Sequence, residues 1–491
     1  MLEGSNALLA GCTIYIAALL VIGLWSRRVR QQNSLSDFYL AGRSLGSLVL
    51  LFTLFATQYS GNSLSGFPGQ TYREGLAYYM SVTFMVGIVG GYLLFAPRLF
   101  REARKHAFVT PTDYVAARFG SPLLSNAVST ILAITLVNFL LAQLMAMGHA
   151  FAGLTDGRVP YWAGVVGGAG IILVYELLGG MRAVAWTDAL QGGVLFVGLF
   201  LAALLLMRIV GSPAEVVATV GRIAPIKTAS PSFEVCALWI SNFLLLGLGG
   251  PLYPQAIQRI YAARRLSDLK RALAAMAFLP HIAITTVVFI GLAGIALFPK
   301  LEAAEADQIT FKVLNHLVAN DPLAYWPVLI VTLGVLAAIM STADSCLLSL
   351  SSIVTKDVVG RWRGMDSTEA EGQTRLGSIV SIAIMFGLVV FALRPLTTLW
   401  NLLVIKFEIL IQLSPAFVLG TLHSRGDDGA FRSADILRGL AVGLIVALGL
   451  YFAGVRRWHG FHAGVLGVLA NYFVVLGSRR LGRRRPSTSV T

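Results

Sequence analysis

The chain has 491 residues, of which 56% are hydrophobic and only 13% are charged, and its net charge is +14. A soluble protein carries about a quarter charged residues, so this composition excludes a soluble domain and a disordered chain. The apolar residues also lie in long runs, such as residues 7–25. A helix needs about 20 apolar residues to cross about 30 Å of hydrocarbon. We therefore expect an all-α polytopic membrane protein.

Hydropathy predicts thirteen transmembrane helices. Their approximate bounds are 7–25, 45–70, 75–97, 122–153, 159–178, 186–207, 233–256, 272–298, 324–352, 376–393, 397–420, 439–454 and 459–477. The loops on the side of Arg27 hold 27 of the 38 Lys and Arg residues, and the opposite loops hold 10. Because cytoplasmic loops carry the basic excess, we expect the N-terminus outside and the C-terminus in the cytoplasm. This rule also explains the net positive charge without a nucleic-acid partner.

The segments outside the spans are short. Residues 299–322, between the eighth and ninth spans, are mildly acidic and are expected to hold a short interfacial helix. Only about 14 residues follow the last predicted span, and they include the basic stretch 483–485. We therefore expect no soluble output domain after the last span.

Two predicted spans, five apart, are interrupted by polar or helix-breaking residues. The second span carries a polar run at residues 56–63, and the seventh carries three glycines and two prolines at residues 247–254. A polar cluster at membrane depth costs several kcal/mol unless it lines protein or water. Such paired interruptions are typical of the inverted repeats of secondary transporters. The alternative is that both segments are close-packing seams between helices.

The ninth span carries a stripe of small and hydroxyl residues. Ala338, Ser341, Thr342 and Ser345 are spaced i, i+3, i+4 and i+7, which places them on one helix face. Hard cations bind hydroxyl and carbonyl oxygens. The stripe therefore offers two hydroxyls and the Ala338 carbonyl to a sodium ion, and carbonyls of an unwound second span would complete the site. The alternative is packing, or hydroxyl bonding to the helix's own preceding turn.

Ionisable residues inside the predicted spans are few, and each is a functional candidate because charge at a helix centre costs about 2.5–3.5 kcal/mol on the insertion scale. They are Glu176, Asp188, Asp344, Lys406 and Glu408. Lys406 and Glu408 are two residues apart and face different directions. Lys406 is therefore either the partner of another buried carboxylate or an anchor for a substrate carboxylate.

Several motifs in combination resemble the sodium:solute symporter family, which includes proline, pantothenate, monocarboxylate, sialic acid and galactose symporters. The resemblance covers residues 5–480. Its motifs are residues 37–43, 175–181, 186–188 with Gln191, 258–259 with 262–263, and 340–345 with 355–357.

The resemblance implies a LeuT-like fold, with a five-plus-five inverted repeat, one extra N-terminal helix and two extra C-terminal helices. Its implied divisions are the N-terminal span and cytoplasmic loop at 1–44, the first repeat at 45–210, the second repeat at 211–421, and the two C-terminal spans with a basic tail at 422–491. This arrangement has the same number of spans as hydropathy predicts.

The resemblance also implies ion sites. Its main sodium site corresponds to the carbonyls of Ala56, Tyr59 and Ala338 and the hydroxyls of Ser341 and Thr342. Some members bind a second sodium ion at the positions of Asp188, Asp344 and Ser345. Serine is commoner in the family where Asp344 stands, so this extra carboxylate would strengthen cation binding, take a proton or pair with Lys406. The number of coupled ions therefore stays open.

Substrate contacts follow from the same resemblance and from the buried lysine. The implied positions are Gln58, Ser60, Ser63, Asn138 and Gln143, together with Lys406. Leu246, Gly249 and Gly250 stand where sugar transporters of the family present an amide and aromatic rings, whereas Pro254 resembles the proline and pantothenate branches. These positions favour a carboxylate-bearing solute, an amino acid or a short organic acid, over a sugar.

The sequence thus predicts a sodium-coupled secondary active importer that works by alternating access in a bacterial-type inner membrane, and not an enzyme. The expected partners are a small-molecule solute, sodium and membrane lipid, with no cofactor besides the coupling ion. Two alternatives stay open, a proton-coupled transporter that uses Asp344 and a solute-sensing membrane protein without transport. A channel is less favoured because no pore-lining pattern repeats.

Overall fold

The structure of the protein is a computed structural model that describes residues 5–28, 34–155, 157–360, 370–394, 399–423 and 431–483. Most of the predicted basic tail lies outside these described residues.

The described chain is almost entirely helical. Its helices are α1 (Ser5–Arg28), α2 (Leu35–Leu40), α3 (Ser47–Gln58), α4 (Phe67–Glu74), α5 (Ser81–His106), α6 (Pro111–Phe119), α7 (Pro122–Leu154), α8 (Tyr161–Ile209), α9 (Pro213–Ile223), α10 (Phe233–Gly249), α11 (Pro254–Ala262), α12 (Leu266–Met276), α13 (Leu279–Leu297), α14 (Ile309–Asn320), α15 (Tyr325–Ser352), α16 (Ala370–Ala392), α17 (Leu399–Leu410), α18 (Ser414–Leu422), α19 (Ser433–Phe452) and α20 (Ala463–Arg483). A two-stranded antiparallel hairpin, β1 (Arg457–Trp458) and β2 (Phe461–His462), joins the last two.

Short 3₁₀ or π segments connect several of these helices. They are Ala41–Arg43, Asn62–Gly66, Gly75–Met80, Pro225–Lys227, Gly250–Leu252, Ala303–Gln308, Pro322–Ala324, Ile353–Gly360 and Ile411–Leu413. The mildly acidic segment 299–322 holds α14, so the short helix predicted there is confirmed.

The number of membrane crossings is less simple than hydropathy predicts. Ten helical stretches of the described chain are long and apolar enough to cross a membrane, and α3 and Ala463–Arg479 are shorter apolar helices. The fifth and sixth predicted spans are the two parts of α8, which meet at a kink where Gly180 has a non-helical backbone (φ 56°, ψ −150°). At 1.5 Å per residue this helix is too long for one crossing. The count of thirteen stays a prediction.

The second predicted span is broken, because α3 ends at Gln58 and Tyr59 takes an extended backbone (φ −99°, ψ 100°). Helix resumes as a π segment at Asn62. Breaking a helix frees backbone groups that need partners inside a membrane. One of these groups, the Gly61 amide, donates to Gln143 Oε1 on α7 at 2.9 Å.

The seventh predicted span is broken in the same manner. Helix α10 passes into a 3₁₀ turn at Gly250, Tyr253 is extended (φ −54°, ψ 129°), and α11 starts at Pro254. A proline at the first position of a helix loses no helical hydrogen bond. Both predicted interruptions are therefore confirmed.

The two broken spans meet at one end. Leu45, just before α3, donates its amide to the Ala262 carbonyl at 3.1 Å and accepts from the Arg264 amide at 2.8 Å. This short backbone ladder ties the start of α3 to the end of α11. Helix α15 lies across α3 and α8, and every residue from Val335 to Ile353 is buried.

We expect Gly61→Ala to lower the thermal stability of the purified protein. A Cβ at Gly61 would lie 2.6 Å from the Ala146 Cβ and 3.0 Å from Ile339. Overpacking of this kind costs about 1–3 kcal/mol. Thermal unfolding in detergent measures the change, and Gly90→Ala is the control because no heavy atom lies within 4 Å of a Cβ there. Equal melting temperatures for the two variants would contradict the close packing of the break.

Candidate ion and substrate sites

The break in α3 lies against the hydroxyl stripe of α15. In a continuing helix the Ser60 amide would donate to the Ala56 carbonyl, but it donates instead to Ser63 Oγ at 3.4 Å. Thr342 Oγ1 on α15 donates to the Ala56 carbonyl at 3.4 Å. Ala56, Tyr59, Ala338, Ser341 and Thr342 are all fully buried. The structure thus brings together the two segments to which the predicted main sodium site belongs.

A carboxylate adjoins this pair of segments. Ser341 Oγ donates to Asp188 Oδ1 on α8 at 2.5 Å, and Asp188 is fully buried. The negative charge of Asp188 is therefore one hydrogen bond from a predicted sodium ligand. Thr53, on α3, also donates to Asp188.

A buried arginine neutralises that carboxylate. Arg259 Nη2, on α11, lies 2.6 Å from Asp188 Oδ2, and neither side chain is exposed. The same guanidinium donates to Ser345 Oγ at 2.6 Å and to Thr53 Oγ1 at 2.7 Å. Arg259 thus links α3, α8, α11 and α15, which include the inner parts of both broken spans.

The three residues of the predicted second cation site are neighbours in the structure. Ser345 Oγ donates to Asp344 Oδ1 at 3.1 Å, and the hydroxyl of Tyr175 donates to Asp344 Oδ2 at 2.7 Å. Asp188 joins them through the Arg259 guanidinium, which bonds both Asp188 and Ser345. A permanent cation of the chain therefore lies within the group of oxygens predicted to hold a second sodium ion.

The predicted substrate residues divide into two groups. Gln58, Ser60, Ser63 and Lys406 line one cavity between the two breaks, with a volume of about 30 Å³. Gln143 and Asn138 are not among the residues that line it. Gln143 instead holds the Gly61 amide, so its position supports the break.

Lys406 lies among aromatic rings. Its Nζ is 3.1 Å from the centre of the Phe139 ring, 5.2 Å from Tyr253 and 5.5 Å from Phe407. The residue is 1% exposed, and Nζ makes no hydrogen bond within the described residues. Asp344 is bonded by Tyr175 and Ser345, and Glu408 lies 3.7 Å from His462. The interpretation of Lys406 as a carboxylate partner thus finds no support in these contacts.

Arg259 is the residue that sequence reasoning missed. The predicted seventh span ends at residue 256, so hydropathy places Arg259 in a basic loop. In the structure α11 continues inward from Pro254 and is buried along its whole length. The available signal was the motif at 258–259, together with a helix that restarts at a proline.

Comparison with known proteins identifies relatives along most of the chain. The pattern that defines the sodium:solute symporter family matches residues 38–435. The osmoregulated proline transporter OpuE of Bacillus subtilis is 28% identical over 399 residues, which are 79% of this chain and 78% of that protein. The sodium/pantothenate symporter of Escherichia coli is 25% identical, with 97% of each chain covered.

Solved structures share the fold. A sodium-coupled sialic acid symporter, in a substrate-bound outward-open state, superposes with a TM-score of 0.77 at 17% identity, covering 96% of this chain and 98% of that chain. The nucleobase-cation-symport-1 transporter Mhp1, closed with bromovinylhydantoin bound, gives 0.59 at 17% identity, covering 91% and 95%. Both are LeuT-fold transporters, so the prediction of a LeuT-like fold is confirmed.

We expect Arg259→Gln to destabilise the protein by about 3–5 kcal/mol, because it leaves the buried Asp188 carboxylate without its cation. The double variant Arg259→Gln with Asp188→Asn should recover much of the loss, since no buried charge then stays unpaired. Thermal unfolding in detergent measures both.

The matched control is Arg264→Gln. Its side chain is 55% exposed and pairs with Asp268 at 3.1 Å, so the loss should stay below about 1 kcal/mol. A double variant as unstable as the sum of the two single variants would contradict a direct charge pairing.

Proposed function

Because the chain belongs to the sodium:solute symporter family, we propose that it imports a small carboxylate-bearing solute together with sodium by alternating access. Family members and relatives are transporters and not enzymes, and the many apolar helices make this a multi-pass membrane protein. The proposed location is a bacterial inner membrane, with the N-terminus outside and the C-terminus in the cytoplasm.

The observation that carries the proposal is the approach of Thr342 Oγ1 to the Ala56 carbonyl across α15 and the break in α3. In the proposed main site, sodium takes the carbonyls of Ala56, Tyr59 and Ala338 and the hydroxyls of Ser341 and Thr342. All five are hard oxygen ligands of the type that an alkali cation prefers. The nearby Asp188 carboxylate adds negative potential.

Coupling follows from the shared break. The residues that follow Ala56 along the chain include Gln58, Ser60 and Ser63, which line the substrate cavity. A ligand shifts a conformational equilibrium only through different affinities for its states. Sodium that ties α3 to α15 would fix this segment and orient its side chains toward the solute. Loss of sodium toward the cytoplasm would loosen both sites together.

The substrate cavity supports a small acid over a sugar. Leu246 and Gly250 line the cavity, and neither side chain can bond a sugar hydroxyl. Lys406 lines the same cavity, and its Nζ has no hydrogen-bond partner in the described part of the chain. The proposed substrate contacts are therefore Gln58, Ser60, Ser63 and Lys406, with the predicted Asn138 and Gln143 as supporting positions on α7.

The second set, Asp188, Asp344 and Ser345, is proposed to hold a cation only when the Arg259 guanidinium moves away. The guanidinium supplies the positive charge that Asp188 needs. A sodium ion there would add a second cation beside Arg259, and Coulomb repulsion between buried like charges is large.

A second candidate is proton coupling through Asp344. This carboxylate is fully buried, and both of its side-chain donors, Tyr175 and Ser345, are hydroxyls. Hydroxyl donors stabilise the ionised form of Asp344 less than an arginine would. Asp344 can therefore exchange a proton without breaking an ion pair.

We expect Ser341→Ala and Thr342→Ala each to raise the sodium concentration for half-maximal uptake by about 10-fold or more, because each removes one ligand oxygen. Uptake of labelled solute into proteoliposomes at varied sodium measures this. Thr332→Ala is the matched control, since Thr332 is on the same helix and 1% exposed, but lies ten residues away, about 15 Å along the axis. Unchanged sodium dependence in both site variants would defeat the proposed ion site.

A separate measurement distinguishes the two coupling ions. At fixed pH, uptake by the wild-type protein should fall at least about 10-fold when choline replaces sodium, and Asp344→Asn should keep this requirement for sodium. Uptake that persists in choline, follows an imposed pH gradient and is abolished by Asp344→Asn would instead establish proton coupling.

A further inference from the structure

One residue that lines the substrate cavity can carry a formal charge at neutral pH, and that charge is positive. Lys406 is the only ionisable residue with a charged form at neutral pH among the residues that line it. Its other polar side chains are neutral, from Thr57, Gln58, Ser60 and Ser63, and two tyrosines. No aspartate or glutamate of the described chain lines the cavity. Within the described residues, no side chain that lines the cavity can supply a compensating negative charge, whereas an anionic ligand can.

The ammonium of Lys406 is costly where it lies. The side chain is 1% exposed, and its Nζ makes no hydrogen bond to any residue that the structure describes. Burial of a charged group without a partner is among the most unfavourable arrangements in a protein. The Phe139 ring, 3.1 Å away, offsets part of this cost through a cation–π contact. A carboxylate would offset much more, since it brings an opposite charge and a charge-assisted hydrogen bond.

The residues that line the cavity offer a second cation, such as the ammonium group of an amino acid, no site comparable to that of Lys406. The rings of Phe139, Tyr253 and Phe407 would suit an ammonium group, but the Lys406 ammonium already lies against them. Gln58 Oε1 has no hydrogen-bond partner among the described residues, yet it is a neutral acceptor. An amino acid zwitterion would therefore leave the cavity with a net charge of +1, whereas a simple carboxylate brings it to zero.

We propose that the substrate is a monocarboxylate without an ammonium group, and that its carboxylate binds Lys406. This inference rests on the proposed function and specifies its substrate class. The rest of the cavity supports an organic acid over an inorganic anion, because aromatic and aliphatic side chains form most of its wall.

The acid enters only when the helices around the cavity separate. A volume of about 30 Å³ is about a tenth of that of the smallest ordinary ligand pockets, about 300 Å³. The charge of the cavity, and not its present size, therefore defines the substrate class. The body of the acid would lie between the rings of the second and seventh spans once they part.

The test uses two pairs of acids that differ only in the ammonium group, propionate with alanine and cyclopentanecarboxylate with proline. Binding to the full-length purified protein in sodium is measured by thermal shift and by labelled uptake into proteoliposomes. We expect the acid without the ammonium group to bind at least about 10-fold more tightly in at least one pair. Tighter binding of the amino acid in both pairs, or no binding of either simple acid at about 10 mM, a concentration that would detect even a Kd of about 1 mM, would overturn the proposal.

Two variants test the role of Lys406. Lys406→Met has a similar volume and no charge, and should weaken binding of the simple acid by about 30-fold or more. Lys406→Arg keeps the positive charge and should retain most of the wild-type affinity. The thermal shift that sodium alone produces should stay in both variants, which shows that the ion site is intact. Undiminished acid binding by Lys406→Met would overturn the proposal.

The outcome for sodium is independent. Equal uptake of the simple acid in sodium and in choline would contradict the proposed coupling ion and leave the charge assignment of the cavity standing. Sodium-dependent uptake of proline but not of cyclopentanecarboxylate would support the proposed coupling ion and contradict the charge assignment of the cavity.

Discussion

The structure depends on how the backbone groups at the break in α3 are satisfied inside a membrane. A lipid-facing break would leave amides and carbonyls without partners, each at a cost of several kcal/mol. Here Gln143 accepts from the Gly61 amide, Ser63 Oγ accepts from the Ser60 amide and Thr342 donates to the Ala56 carbonyl. Side chains from α7, from α15 and from the π segment after the break thus satisfy its backbone groups, and the Ala56 carbonyl faces the Thr342 hydroxyl of α15. The same requirement that makes a break unfavourable in lipid creates an oxygen-rich place for a cation.

The features predictable from sequence were those with a local signal. Glycine, proline and polar residues at membrane depth identified both breaks. Helical spacing placed Ser341 and Thr342 on one face of α15, where Thr342 meets α3 and Ser341 meets Asp188 of α8. The LeuT-like fold followed from motifs along the chain. Hydropathy also separated the two parts of α8, at 159–178 and 186–207, and the kink at Gly180 lies between them.

The contacts of charged residues were not predictable, because they depend on tertiary structure. Hydropathy averages over a window, so an arginine beside Gln255 and Gln258 is assigned to a loop even when α11 is fully buried. The partner of Arg259 lies 71 residues away in sequence, on α8. Lys406 is the opposite case. The sequence predicts that Lys406 is buried, but only the structure shows that no carboxylate of the described residues bonds its Nζ.

The two buried cations have different consequences for the energetics of transport. Arg259 is neutralised by Asp188 and lies within the second set of cation ligands, which favours coupling to a single sodium ion. Lys406 has no hydrogen-bonded carboxylate partner among the described residues, and its positive charge therefore favours an anionic solute. One sodium ion and one monocarboxylate carry no net charge, so the membrane potential would contribute nothing, whereas a neutral solute would gain about 2.3 kcal/mol per 100 mV. A tenfold sodium gradient alone provides about 1.4 kcal/mol, or about tenfold accumulation. Steeper accumulation of a monocarboxylate would therefore require a second cation, and hence displacement of Arg259 from Asp188 during the transport cycle.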